Sequence, residues 1–288
     1  MKVNLVINSS TCIKCGKCVE LCPSKIITQK SKGEELSLVN METCIKCGHC
    51  VAVCPTNSVE HNSFPAEKVH SFSYENYPTG EQFMLLCKGR RSNRAFSKKQ
   101  IPKELINQII EASHRTPTAS NSRKISYTVI TNPEKIKLII EFTLDVFDSV
   151  RKKLTLPIVK PVVKQFFPDA YRYVPVFERL NDAYKKQGVD LILRNATGVI
   201  LYHTPTSYRF GTVDSNLAYQ NGSLMAECLG VNQFYLGFVC TATNLNKGKL
   251  EKLLGIDGTI QAGMAIGMPK YRFPKYVDRE EAQVDFME

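Results

Sequence analysis

Apolar and polar positions follow two different periods along this chain, and the period changes where the predicted elements change. Ile26-Ile27-Thr28 and Leu36-Ser37-Leu38-Val39 are short β-prone runs flanking Lys32-Gly33, which predicts a hairpin. His61 to Pro78 is polar, contains Pro65 and Pro78 and keeps no period, as a linker would. Thr79 to Gly89 predicts a short helix: Thr79 and Gln82 can form a capping box, Met84-Leu85-Leu86 would face inward, and Gly89 would end it. A second helix follows Pro102, with Leu105, Ile109 and Ala112 at helical spacing. It runs into a loop of turn formers, Thr116 to Arg123, and then a β-branched alternating strand from Ile125 to Thr131.

Residues 145–190 are the least legible stretch, interrupted by Pro157, Pro161, Pro168 and Pro175 and dense in aromatics. Beyond them Val199 to His203 predicts a buried strand. Ser215 to Leu229 predicts a helix with Leu217, Ala218, Asn221, Leu224, Met225 and Leu229 on one face. Phe234 to Val239 predicts a strand, Lys247 to Leu254 a helix closed by Gly255, and Gln261 to Ile266 a last strand. Helices and strands interleave, so the large region is an α+β or α/β domain. The expected division is 1–62 as a small domain, 63–78 as the linker and 79–288 as the large domain.

The first 55 residues carry one cysteine pattern twice. Cys12, Cys15, Cys18 and Cys22-Pro23 are followed by Cys44, Cys47, Cys50 and Cys54-Pro55 at identical spacing, and both copies open Thr-Cys-Ile-Lys-Cys-Gly. Three thiolates at i, i+3 and i+6 on a tight loop reach three corners of a cubane, and the cysteine before proline ligates the other cluster. Cys12, Cys15, Cys18 and Cys54 should therefore hold one [4Fe–4S] cluster, and Cys44, Cys47, Cys50 and Cys22 a second. Over residues 3–60 the stretch resembles the bacterial two-cluster ferredoxins. Gly16 and Gly48 suit close approach of backbone amides to sulfur. Zinc usually takes cysteine pairs separated by a longer insert, and disulfides need an oxidising compartment. A purely structural cluster is the stronger alternative, but one cluster would suffice as a staple.

Composition changes this picture little. Hydrophobic residues make up 43% and charged residues 23%, as in an ordinary globular protein. The apolar run at Met1 to Ile7 is too short for a signal peptide, and no eighteen-residue apolar stretch predicts a membrane span. A cytoplasmic, reducing location is expected. The net charge of +11 overstates basicity, because two oxidised clusters with their thiolates remove roughly four charges. Lys and Arg are spread along the chain with no nucleic-acid motif, so neither nucleic acid nor membrane is expected as a partner. An acidic electron-donor protein is an equally good use for the charge.

The second informative stretch is Arg90-Arg91-Ser92-Asn93-Arg94-Ala95-Phe96, which puts three guanidiniums and a hydroxyl at a helix stop. Arg suits bidentate phosphate contacts and the carbonyl oxygens of a planar ring. Together with Pro117-Thr118-Ala119-Ser120-Asn121, Gly230 to Gly237, and Ile266-Gly267-Met268-Pro269, it resembles the FMN-dependent nitroreductase family over about residues 80–275. That resemblance implies a three-layer α/β/α domain and an intertwined homodimer with FMN at its interface. It implies FMN contacts from Arg90, Arg91, Ser92 and Arg94, and packing on the flavin from Pro117, Thr118, Ala119 and Asn121, commonly of the partner subunit. It also implies backbone N–H donors at Leu236 and Gly237 and a late basic residue on the phosphate, either Arg272 or Lys275. Thr118, Tyr235 and Asn93 stand where the family usually has Ser, Trp and an apolar residue.

Cationic Arg94 at the flavin edge would stabilise negative charge on the reduced ring. No catalytic acid is nominated; His203 reads as structural, and Cys87, Cys228 and Cys240 as buried free thiols. The function expected is an oxidoreductase in which two [4Fe–4S] clusters relay electrons to FMN. Its acceptor would be a small electrophile, such as a nitro compound, quinone or enoate, and its donor ferredoxin or NAD(P)H. No G-x-G-x-x-G site is present. The alternative is a non-enzymatic carrier or redox sensor, distinguished by slow reoxidation of the flavin by small electrophiles and fast reoxidation by a protein partner.

Overall fold

In a computed structural model, which describes residues 3–288, the chain divides into two compact units. The first runs up to Pro78 and includes Ala119–Ser122; the second comprises Thr79–Thr118 and Arg123–Glu288. Among the described residues no helix is long and apolar enough to cross a membrane.

The first unit is two copies of one small motif. Its elements are β1 (Leu5–Ile7), α1 (Lys17–Leu21), β2 (Ile27–Gln29), β3 (Leu36–Leu38), α2 (His49–Val53) and β4 (Val59–His61). The strands exchange between copies: β1 pairs antiparallel with β4, and β2 with β3 across the expected Lys32-Gly33 turn. Each helix starts after a left-handed glycine, Gly16 at φ 77° and Gly48 at φ 79°, where a side chain would be strained. The buried core is only Leu5, Cys18, Cys22, Ile26, Ile27 and Val59.

The second unit contains α3 (Gly80–Gly89), α4 (Lys103–His114), β5 (Ser126–Ile130), α5 (Pro133–Leu154), α6 (Val159–Phe166), α7 (Pro168–Tyr171), α8 (Val174–Gln187), β6 (Gly198–Thr204), α9 (Gly211–Cys228), β7 (Asn232–Tyr235), α10 (Gly237–Leu245), α11 (Lys249–Leu254) and β8 (Thr259–Gly267). Its sheet has the order β5-β6-β8-β7 with every pair antiparallel. This decides α+β over α/β. One core lies between the sheet and α5, α8 and α10, built on Phe147, Phe177, Leu180, Leu201 and Leu236; a second joins the sheet to α4 and α9 through Ile109, Tyr202 and Met264. The result is a three-layer arrangement.

Several local expectations need correction. The capping box at Thr79 and Gln82 forms as expected, but Met84 and Leu85 are 53% and 59% exposed rather than buried. Residues 145–190 are helical, because the prolines sit in first turns or between helices rather than inside them. The strand expected to reach Val239 ends at Tyr235, and Gly237 already starts α10.

On α9 the buried positions are Gly211, Asp214, Ser215, Ala218, Gly222, Ser223 and Ala226, while Leu217 is exposed. Small residues win because α9 crosses so close: a Cβ on Gly222 would clash with Ser113 Oγ and crowd Tyr202 and Met264. Cys87 and Cys228 are exposed rather than buried.

Candidate functional site

The cysteines of the first unit gather in the interleaved sets expected from their spacing. One small cavity is lined by Cys12, Cys15, Cys18 and Cys54, the other by Cys22, Cys44, Cys47 and Cys50. Among the described residues no three His, Cys, Asp or Glu side chains gather as a single metal ion would require. Four thiols around each cavity suit a multi-iron core with one sulfur per corner. Burial pushes the Cys50 thiol up to about 11, so a thiolate there needs a bound cation. Backbone donors repeat as well: the amide of Ile26 donates to Cys22 Sγ at 3.4 Å and that of Ser58 to Cys54 Sγ at 3.2 Å. His61, not singled out by the sequence, is buried with Nε2 3.7 Å from Cys44 Sγ.

In the second unit the Arg-rich segment is stitched down by its backbone. The amide of Ser97 donates to Met268 O at 2.8 Å, and that of Lys270 to Ala95 O at 2.9 Å. Asn93, which departs from the family pattern, is buried and donates to Tyr271 O at 2.9 Å while accepting from Ala95 N at 3.0 Å. It therefore ties the carboxyl-terminal strap to the arginine segment. Gln233 Nε2 reaches Arg91 O at 3.3 Å and Asn232 Nδ2 reaches Ala95 O at 2.9 Å, fixing the same segment to β7.

Arg94, Leu236 and Gly237 line one cavity of about 740 Å³ with Phe147, Tyr173 and Phe177. Arg194 is in the same lining, half-buried, and burial followed by the neighbouring Arg94 charge lowers its pKa. Its loop is folded by Asp190, whose carboxylate accepts from the amides of Ile192, Leu193 and Asn195 at 2.8–2.9 Å. No sequence motif marks Arg194; only the fold carries it to the cavity. The aromatic stretch 145–190 contributes Phe147, Val150, Leu154, Ala170, Tyr173 and Phe177 to the lining.

Arg272 packs against Gly230, whose φ of 67° and missing Cβ leave room for the guanidinium. Lys275 and Ser92 are exposed. Unlike Arg115, Arg151 and Arg172, none of Arg90, Arg91, Arg94, Arg194 or Arg272 forms an ion pair with a carboxylate among the described residues. Of the two amides expected to face a flavin, that of Leu236 is committed to Gly263 O at 2.9 Å, leaving Gly237 at the start of α10. Pro117 and Thr118 belong to the second unit, and Thr118 Oγ1 accepts from the amide of Arg123 at 3.0 Å. Ala119 and Asn121 belong to the first unit, where Asn121 Nδ2 donates to the carbonyls of Ile45 at 2.9 Å and Lys46 at 2.8 Å. The His203 ring is held between Thr128 Oγ1 at 3.0 Å and Asp257 O at 3.1 Å.

Residues 87–268 match the model of the nitroreductase family. The chain belongs to that family. As a nitroreductase-family member it is an FMN-dependent oxidoreductase, and its residues 4–55 match a 4Fe-4S dicluster domain. Similar solved folds include a nitroreductase with bound FMN from Bacteroides fragilis (16% identity, TM-score 0.55), covering 71% of this chain and 98% of that one. A nitroreductase with bound FMN from Desulfitobacterium hafniense has 18% identity and TM-score 0.52, covering 70% and 97%. A BluB-like flavoprotein from Clostridium difficile has 16% identity and TM-score 0.52, covering 73% and 100%. No curated protein matches the sequence.

Proposed function

We propose that this nitroreductase-family chain takes in single electrons at two cysteine-held [4Fe–4S] clusters and delivers them in pairs, at an FMN site, to a small electrophile. The observation that carries this reading is the pair of guanidiniums of Arg94 and Arg194, without carboxylate partners, in one aromatic-lined cavity, in a chain that also presents two cysteine quartets. Unpaired guanidiniums suit an anion with planar oxygen-bearing groups, as a phosphorylated flavin is. FMN, when bound, supplies one- and two-electron chemistry.

The chain's own residues then hold and polarise. Arg90, Arg91 and Arg272 bind the phosphate and its chain, Gly237 N–H meets the ring, and Arg94 stabilises negative charge beside it. Arg194 faces the same cavity and favours acceptors bearing nitro or carbonyl oxygens, which covers nitro compounds, quinones and enoates. A homodimer and a ferredoxin or NAD(P)H donor belong to the same proposal.

The test is anaerobic. Chain with Cys12 and Cys44 replaced by Ala is expected to lose ferredoxin-driven turnover while dithionite still reduces its FMN; an unchanged ferredoxin-driven rate overturns the relay. Material holding about eight irons but no flavin, even with FMN in excess, overturns the whole proposal.

A further inference from the structure

The two copies of the cysteine motif serve as controls for each other. The shift that carries Cys12 onto Cys44 and Cys22 onto Cys54 also carries β2 onto β4, and Gln29 onto His61. The backbone bonds to sulfur survive the shift, Ile26 N to Cys22 Sγ becoming Ser58 N to Cys54 Sγ. The side chains at 29 and 61 behave differently. Gln29 Nε2 donates to the carbonyls of Lys14 at 3.0 Å and Glu34 at 2.7 Å. His61 is 4% exposed, with the Phe64 ring 5.2 Å from its own.

The tautomer of His61 follows from its surroundings. Nδ1 lies 3.0 Å from the amide nitrogen of Ser63, and that amide can only donate. Nδ1 is therefore the bare, accepting nitrogen, and the proton of the neutral ring is on Nε2. Nε2 lies 3.7 Å from Cys44 Sγ, so the ring gives an N–H to a sulfur that binds iron. A hydrogen bond to a thiolate draws charge from the cluster and favours its more negative, reduced form. The other cluster has a hydroxyl in a comparable role, Thr56 Oγ1 at 3.7 Å from Cys54 Sγ. Its counterpart in the shift, Ser24, gives its hydroxyl to Thr43 O at 2.9 Å instead.

Resting on the cluster reading above, we infer that His61 is a positioning residue that donates Nε2–H to Cys44. It thereby raises the reduction potential of the cluster held by Cys22, Cys44, Cys47 and Cys50 and leaves the other cluster unchanged. The repeat thus builds two cages of one geometry with different donors at the sulfur, an imidazole for one and a hydroxyl for the other.

The experiment is an anaerobic redox titration of the full chain, followed by EPR, with iron counted in every sample. His61→Phe is expected to lower the potential of one cluster and leave the second in place, while Thr56→Val moves the opposite one. His61→Gln, which keeps an N–H, is expected to fall between wild type and His61→Phe. Full iron content with neither potential moved in His61→Phe, or both moved equally, overturns the inference. Should His61→Phe fail to hold its iron, ¹⁵N-histidine NMR of the oxidised wild type decides: an Nε2–H tautomer supports the inference and an Nδ1–H tautomer overturns it. Wild-type protein without about eight irons would instead break the cluster reading itself.

Discussion

The two units build their sites in opposite ways. In the first, residues 12–54 supply all eight cysteines proposed as ligands, and the six buried residues of its core include two of them, Cys18 and Cys22. In the second, the cavity draws on Arg94, the α5–α8 helices, Arg194 and the β7–α10 turn, segments spread over residues 94–245, and it lies at the edge of one of two large apolar cores, sharing Phe147, Phe177 and Leu236 with it. A site that is most of a unit's interior holds the unit together; a site set at the edge of a finished core can be emptied without unfolding it. The lesson is that the first unit should depend on its cofactors for structure and the second for chemistry only.

The sharpest way to break that contrast is to strip the iron with a chelator. Amide exchange in β1–β4 should accelerate by at least about 100-fold while the central strands of the second unit keep their protection. Equal loss in both units would refute the contrast. Next in size is Arg94→Ala, expected to weaken FMN binding by roughly 10–100-fold, the worth of a charge-assisted hydrogen bond. Arg115→Ala, whose guanidinium already pairs with Glu111, should leave FMN affinity unchanged; flavin fluorescence titration separates the two. Gly222→Val forces a side chain between α9 and α4 and should cost about 1–3 kcal/mol, read from the urea midpoint of the second unit, with flavin affinity preserved. The smallest effect is Thr79→Ala, which removes the side-chain cap of α3 and should cost about 1 kcal/mol in the same measurement.

Legibility tracks the same contrast. The interleaved quartets were readable because ligand spacing is dictated by the size of one rigid inorganic core, and every ligand lies within a short span. The Thr79 cap was readable for a similar reason: its partner is three residues away. The buried face of α9 was not. Periodicity chose its large apolar residues, whereas close crossing with α4 selects small ones and turns Leu217 outward. The helices of 145–190 were hidden because proline is a breaker inside a helix but a good first-turn residue, and the sequence does not say which turn is first.

What the sequence by itself determined is therefore the pair of cysteine cages, the basic segment at residues 90–94, and the mixed helix-and-strand character of the large region, since each follows from neighbours along the chain; the antiparallel pairing that makes it α+β came from the fold. Tertiary structure decided which side chains complete those sites. It brought Arg194 to the cavity through the Asp190-folded loop, spent the Leu236 amide on Gly263, buried Asn93 against Tyr271, and set the His61 proton toward Cys44. The physical reason is common to all four. A hydrogen bond or a cavity wall is made by whichever groups packing brings within about 3–4 Å, and for these residues the groups that matter are set by the folded backbone rather than by any repeating pattern in the chain.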